Sequence, residues 1–352
     1  MPVGLGGALA PLQRFFCKTC GKSFTLGRDK ARPGARFADD VVDEAVRLYV
    51  QGLPSYRVLS VLLERRLHRP VARITLNRWV DDAGGRSKTP LEVSSELAPR
   101  WGGFLGVDGK FITAGRKEAS LLVGVDHPTQ DVVHALVLPA ENGEGFERLV
   151  REAVTGAGYP LRGIVTDLGP GFAQAYRAHF ARVPFQACRI HFDRRLDQDI
   201  PKAKGTPNAA IYAELKDRIR AVLYAGTEEE ARALLHALSA ERGRFGGVGR
   251  VDSLRSVERN FGLYMAHHHT PGLPADNNVT ENVIKQLGKK LRLMEGFASL
   301  ESAERFCRLL IGCYRFKRFT DSCRSGHNGK APLELAGVDL AGRDWLTFLL
   351  DR

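Results

Sequence analysis

Three carboxylates far apart in the chain, Asp108, Asp167 and Glu281, have the surroundings that metal-dependent chemistry on a phosphodiester needs. Asp108 lies within the apolar run 104–112 (FLGVDGKFI), and Asp167 ends the run 161–167 (LRGIVTD). Glu281 opens a basic, helix-like stretch, NNVTENVIKQLGKKLRLMEGF. Carboxylates brought together repel one another unless a cation lies between them, so such a trio asks for Mg²⁺ or Mn²⁺. Two such ions clamp the attacking and leaving oxygens of a phosphodiester. Each acid also has a plainer role open to it. Asp at a strand end is a common turn residue, and Asp126, followed by His127-Pro128-Thr129, reads that way. Glu281 stands three residues after Asn278, where it would serve as a capping-box glutamate.

A sheet must position these acids. The patterning predicts strands at 104–112, 120–126 and 131–138, a helix at 144–156, a strand at 161–167, a helix at 171–181 and a strand at 184–190. In a mixed α/β sheet of that order, an acid on the first strand and one ending the fourth sit on neighbouring strands. On a helix begun at Glu281, Lys285, Gly288 and Arg292 share its face, with Lys289 beside them. The opposite stripe, Ile284, Leu287, Leu291 and Met294, would pack on the sheet. Cys188 and His191 fall at the end of the fifth strand. Cys188 reads as a buried thiol, His191 as a contact to phosphate, and Arg189, Arg194 and Arg195 as further phosphate contacts. His267-His268-His269 reads as a solvated Pro/Gly loop, and Lys317, Arg318 and Arg324 extend the basic surface.

The front of the chain carries a different signal. Cys17 and Cys20 in FFCKTCGKSF form half of a zinc-ribbon knuckle within residues 1–35, but zinc takes four ligands and none precedes them. Residues 36–83 read as three short helices, a helix-turn-helix whose last helix enters the major groove. The inward residues are Val41, Val42, Ala45, Val46, Tyr49 and Val50, then Val58, Leu59, Leu62 and Leu63, then Ile74, Leu76, Trp79 and Val80. Arg73, Thr75, Asn77 and Arg78 would face DNA; a small helical bundle without that role is the alternative. Residues 84–100, rich in Gly, Ser, Pro and charge, read as a linker. The 352 residues at 43% hydrophobic can bury a sizeable core. A net charge of +12 favours a polyanionic partner, nucleic acid first. No apolar run is long enough for a membrane span and no signal peptide is evident, so a cytoplasmic, nucleoid-associated protein is expected.

Together, Asp108 in VDGKF, Asp167 in VTDLGPGF, Cys188-x-x-His191 in ACRIHFDRR, the Glu281 stretch and HNGKAPLELAGV resemble a bacterial or archaeal DDE insertion-sequence transposase of the Mutator-like-related group. The resemblance covers roughly residues 15–350. It implies a ribonuclease-H-like catalytic domain at 101–325, with a helical insertion at about 200–265 accommodating the 114 residues (281 − 167) between the last two acids. A tail would follow at 326–352. It further implies Asp108, Asp167 and Glu281 as catalytic residues and ligands of two Mg²⁺ or Mn²⁺ ions, with Zn²⁺ open at the knuckle. The substrates would be transposon ends and target DNA, both double-stranded, cut and then joined by one site in a homodimer or larger assembly. Two other readings share these residues: a catalytically silent DNA-binding regulator, and a nuclease that cuts without strand transfer.

Overall fold

The computed structural model describes residues 13–26, 36–52, 54–169, 171–200, 209–245 and 251–351. A short antiparallel hairpin, β1 (Gln13–Phe16) and β2 (Ser23–Leu26), carries the Cys-x-x-Cys turn. Three helices follow, α1 (Asp39–Gln51), α2 (Tyr56–Leu67) and α3 (Arg73–Arg86). Ser55 caps α2 by accepting the Val58 N–H, and α2 ends at His68 in the left-handed region, just ahead of Pro70. The buried stripe of α2 runs through Leu59, Leu63 and Leu67. Val58 and Leu62, expected to point inward, fall one position off that stripe and are half exposed; Ile74 on α3 is also exposed.

The linker expected at 84–100 does not exist as such. Helix α3 continues to Arg86, and α4 (Pro90–Leu97) follows, closed by a capping box between Thr89 and Glu92 with Pro at the first helical position. The Gly, Ser and Pro content that suggests a linker goes into helix ends. Gly84 lets α3 lie against a later helix, since a Cβ there would stand 2.4 Å from the Arg305 carbonyl oxygen.

The central sheet contains β3 (Phe104–Ala114), β4 (Lys117–Asp126), β5 (Val132–Leu138), β6 (Gly163–Thr166) and β7 (Phe185–Ala187). Their order is β5-β4-β3-β6-β7; β3, β4 and β5 pair antiparallel, while β6 and β7 add on parallel. The crossovers hold α5 (Gly143–Ala157) and α6 (Phe172–His179). Strand β7 is shorter than the sequence suggests. It stops at Ala187, Cys188 becomes the N-cap of α7 (Arg189–Asp199), and His191 rides on that helix.

The described residues between α7 and the third acid hold α8 (Ala209–Leu223), α9 (Glu228–Ala240), α10 (Arg242–Phe245) and α11 (Val251–His269). The three histidines end α11 rather than lying in a loop, and His267 is tied by its backbone N–H to Gln186 Oε1 at 2.9 Å. Beyond come α12 (Asn278–Leu293), α13 (Leu300–Phe316), α14 (Pro332–Leu335) and α15 (Trp345–Leu349). None of the described helices is long and apolar enough to cross a membrane.

Alternation along β4 divides the core. Leu121, Val123 and Val125 face α12, α13 and the N-terminal helices, whereas Leu122 on the other face joins Leu105, Val107, α5 and the insertion. The C-terminal segment packs on the same core, with Leu333, Trp345, Leu346 and Leu349 buried in the first of these clusters. Gly312 on α13 makes room for Leu349. The same face buries an ion pair completely: Arg315 donates to both oxygens of Asp131 at 2.8 Å, to the Pro90 carbonyl and to Ser94 Oγ. One guanidinium thus binds α13, α4 and the β4–β5 turn. Removing one partner strands a buried charge, so Arg315→Met should cost about 3–5 kcal/mol in denaturant unfolding. Arg315→Met combined with Asp131→Asn, which keeps an acceptor for Trp101 Nε1, should recover part of that loss.

Candidate active site

The parallel pairing of β3 with β6 sets Val107 opposite Thr166. The next residue on each strand is therefore Asp108 and Asp167, side by side at the carboxyl end of the parallel pair. Both use a neighbouring amide: Gly109 N–H donates to Asp108 Oδ1 at 2.8 Å and Gly169 N–H to Asp167 Oδ1 at 3.2 Å. Asp108 is pushed up to about 8, first by burial and then by the charge of Asp167, with Glu281 and Glu141 adding to the repulsion. Without a cation, neighbouring carboxylates at this density hold a proton near neutrality. That donor set, oxygen-only and crowded with negative charge, fits a hard divalent ion such as Mg²⁺ or Mn²⁺.

Glu281 comes to this place through the docking of α12. Asn277, fully buried ahead of the helix, sends Nδ2 to the Val107 carbonyl at 2.9 Å, and its backbone N–H donates to Cys188 Sγ at 3.3 Å. One residue thereby joins β3, the start of α7 and the start of α12 immediately beside Asp108. The approach requires Gly106. A Cβ there would stand 2.0 Å from Thr280 Oγ1 and 2.7 Å from Asn277 Oδ1. The capping-box alternative for Glu281 fails on geometry: Asn277, not Asn278, is the N-cap, and it makes no side-chain cap bond. The Glu281 carboxylate instead accepts from Arg194 Nη1 at 2.8 Å and faces His191 Nδ1 at 3.5 Å.

A fourth acid, missed in the sequence, stands in the same place. Glu141 precedes α5, and its Oε2 lies 1.8 Å from where a Cβ of Gly109 would be. Its Oε1 lies 3.2 Å from the corresponding point at Gly169, where Asp167 Oδ1 is 3.1 Å away. Burial and then Asp167 raise the Glu141 carboxyl above its usual value. The available signal was its place in the loop between β5 and α5, next to the helix cap Asn142. Asp126, read as a turn residue, is one: it is buried and accepts from Gly102, Gly103, Thr129 and Tyr159.

The expected DNA-facing residues fall into three groups. His191, Arg194 and Arg195 line a cleft of about 310 Å³ beside Asp167, whereas Arg189 turns away to the Leu223 carbonyl and the Tyr224 ring. Lys285 and Lys289 are exposed on α12 and, with Lys317, Arg318 and Arg324, line a second cleft of about 410 Å³. Arg292 is exposed further along α12, and the gap at Gly288 is covered by the Lys110 side chain. On α3, Arg73, Asn77 and Arg78 are exposed and Thr75 is half-buried. At the knuckle, the Cys20 amide holds the Cys17 thiol below its usual value, and Gly21 takes φ 67° in the turn. Among the described residues, no third metal-ligating side chain joins Cys17 and Cys20.

Neither a known family's sequence model nor a curated protein matches this chain. The site therefore rests on its own geometry. Gly106→Ala should lower stability by about 1–3 kcal/mol through overpacking at the α12 contact. Gly262→Ala, whose Cβ meets nothing within 4 Å on α11, should be neutral or gain up to about 1 kcal/mol. Equal stabilities of the two variants in urea would show that α12 is not seated as described.

Proposed function

We propose that this protein is a DDE transposase, cutting DNA at element ends and joining the freed ends to a target with a ribonuclease-H-like catalytic domain. The observation that carries the proposal is the β3–β6 register, which sets Asp108 beside Asp167, together with the α12 docking that holds Glu281 near enough for its charge to act on Asp108, although its carboxylate sits with Cys188 and His191. The sheet order supports it, since a ribonuclease-H-like sheet places an antiparallel meander first and two parallel strands after it on the far side of the first strand. The exposed cations on α12 and α3 supply what a polyanionic duplex needs along its backbone.

Asp108, Asp167 and Glu281, with Glu141 beside them, would hold the divalent ions. Bound there, such ions would supply activation of the attacking hydroxyl and neutralisation of charge on the leaving oxygen. The residues of the chain do the remainder. The Gly109 and Gly169 amides hold the carboxylates of Asp108, within β3, and Asp167, just past the end of β6. Asn277 fixes the distance of α12 from β3. Arg194 and Arg195 lie where a scissile phosphate would approach, and Arg194, now on Glu281, can exchange that partner for a phosphate oxygen. Exposed α3 would read the element end in the major groove.

The test is incubation with Mn²⁺ and a duplex carrying the flanking repeats of the gene. Nicking followed by joining is expected. Asp108→Asn, Asp167→Asn and Glu281→Gln should each lower cleavage at least about 100-fold and leave DNA retention intact. With 6–10 phosphate contacts, affinity should fall about 10³–10⁵-fold between 50 and 200 mM salt. Nicking without joining would make it a nuclease; retention without cleavage by the unaltered protein would make it a regulator.

A further inference from the structure

Beside the four carboxylates lies a group of different chemistry. Cys188, His191 and Glu281 each offer one ligand atom, and the three atoms lie within 4.8 Å of one another. Cys188 caps α7 and His191 sits three residues on, so the two project from one face of the first turn. Glu281 comes from α12 opposite. His191 Nδ1 and Glu281 Oε1 are both buried, 3.5 Å apart, and neither has a hydrogen-bond partner. Cys188 is 2% exposed, and its sulfur accepts from the Asn277 N–H at 3.3 Å and lies against the Ile190 and His191 amides. Two unsatisfied polar atoms facing each other next to a thiol are costly in a bare protein. With the Cys188 sulfur they offer nitrogen, oxygen and sulfur donors within 4.8 Å of one another.

We infer that Cys188, His191 and Glu281 form a second cation site, one that takes a thiophilic borderline metal such as Zn²⁺ and draws Glu281 out of the carboxylate cluster. Zinc bonds of about 2.0–2.3 Å place tetrahedral ligands roughly 3.3–3.8 Å apart. Closing the present group therefore needs about 1 Å of side-chain movement, well within the torsions of Glu281 and His191. A thiolate and a carboxylate balance the charge of the ion, imidazole adds a neutral ligand, and the fourth position opens toward the cleft of about 310 Å³. Sulfur excludes Mg²⁺, which keeps to oxygen. The site is thus chemically separate from the one formed by Asp108, Asp167 and Glu141, with Glu281 as the shared ligand. Arg194, exposed and bonded to Glu281 at 2.8 Å, is displaced when the metal enters. The regulatory consequence rests on the transposase reading: bound Zn²⁺ withholds Glu281 and antagonises Mg²⁺-dependent cleavage.

Co²⁺ is the probe, since thiolate–cobalt charge transfer and tetrahedral d–d bands report the ligand set without any activity assay. The full chain carrying Cys17→Ser and Cys20→Ser removes the knuckle as a competing site. In that background one equivalent of Co²⁺ should produce both bands, and Zn²⁺ should bleach them. Cys188→Ser or His191→Ala should weaken binding at least about 100-fold, beyond what loss of a mere supporting partner costs. Asp108→Asn with Asp167→Asn should leave the spectrum in place. Absence of charge transfer in the knuckle-free protein, its persistence in Cys188→Ser, or its loss with the two aspartates would each overturn the inference. Should Cys188→Ser unfold, undiminished Co²⁺ affinity in His191→Ala would overturn it equally. Failure of DNA cleavage leaves the spectrum untouched, so the two proposals fall separately.

Discussion

The contact between the start of α12 and β3 governs everything else at the site. Asp108 and Asp167 are brought together by local sheet pairing, but Glu281 is far away in the chain and comes within electrostatic reach of Asp108 because Asn277 bonds to the Val107 carbonyl over the bare backbone of Gly106. A side chain at Gly106 would lift α12 from the sheet and carry Glu281 with it. The contact is also polar where most helix–sheet packing is apolar: Asn277 is buried and bonds in two directions, to β3 and to Cys188. Such a bond has one register. An apolar contact of the same area would stabilise α12 about as well while letting it slide.

The helical front and one face of the sheet share a core. Asp81 on α3 pairs with Arg305 on α13 at 2.7 Å, and Lys290 on α12 lies over the Tyr49 ring and donates to the Pro54 carbonyl at 3.1 Å. The helix that holds Glu281 is therefore packed directly on the three-helix unit. Under the proposed function, a rigid connection of that kind would fix the distance between a recognised sequence and the point of attack, which a flexible linker would leave variable.

Much of this is legible in the sequence where period and polarity agree. The strand runs around Asp108 and Asp167 alternate or stay apolar over whole elements, and the Glu281 helix shows one apolar stripe and one basic one. Composition misleads at 84–100, where pattern is the better guide: Thr89-Pro90-Leu91-Glu92 is a helix start in spite of its glycine-rich approach. Strand β7 ends earlier than its sequence suggests because Cys188 and Ile190 look like strand residues, whereas the chain turns into α7 at that point. Glu141 is only faintly marked in the sequence, by its place beside the cap Asn142, because its position next to Asp167 depends on Gly109 and Gly169, distant in the chain, leaving space for its carboxylate. Whether Glu281 is a cap or a site residue depends on one position, Asn277 in place of Asn278, which pattern alone does not resolve.

Convergence of these acids on divalent ions is the claim from which the rest follows. Anomalous diffraction from crystals soaked in Mn²⁺ tests it most directly. The prediction is strong density between Asp108 and Asp167, with Glu281 released from Arg194 and turned toward the ions. Manganese bound elsewhere, or no manganese with Glu281 still paired to Arg194 at saturating concentration, would contradict it.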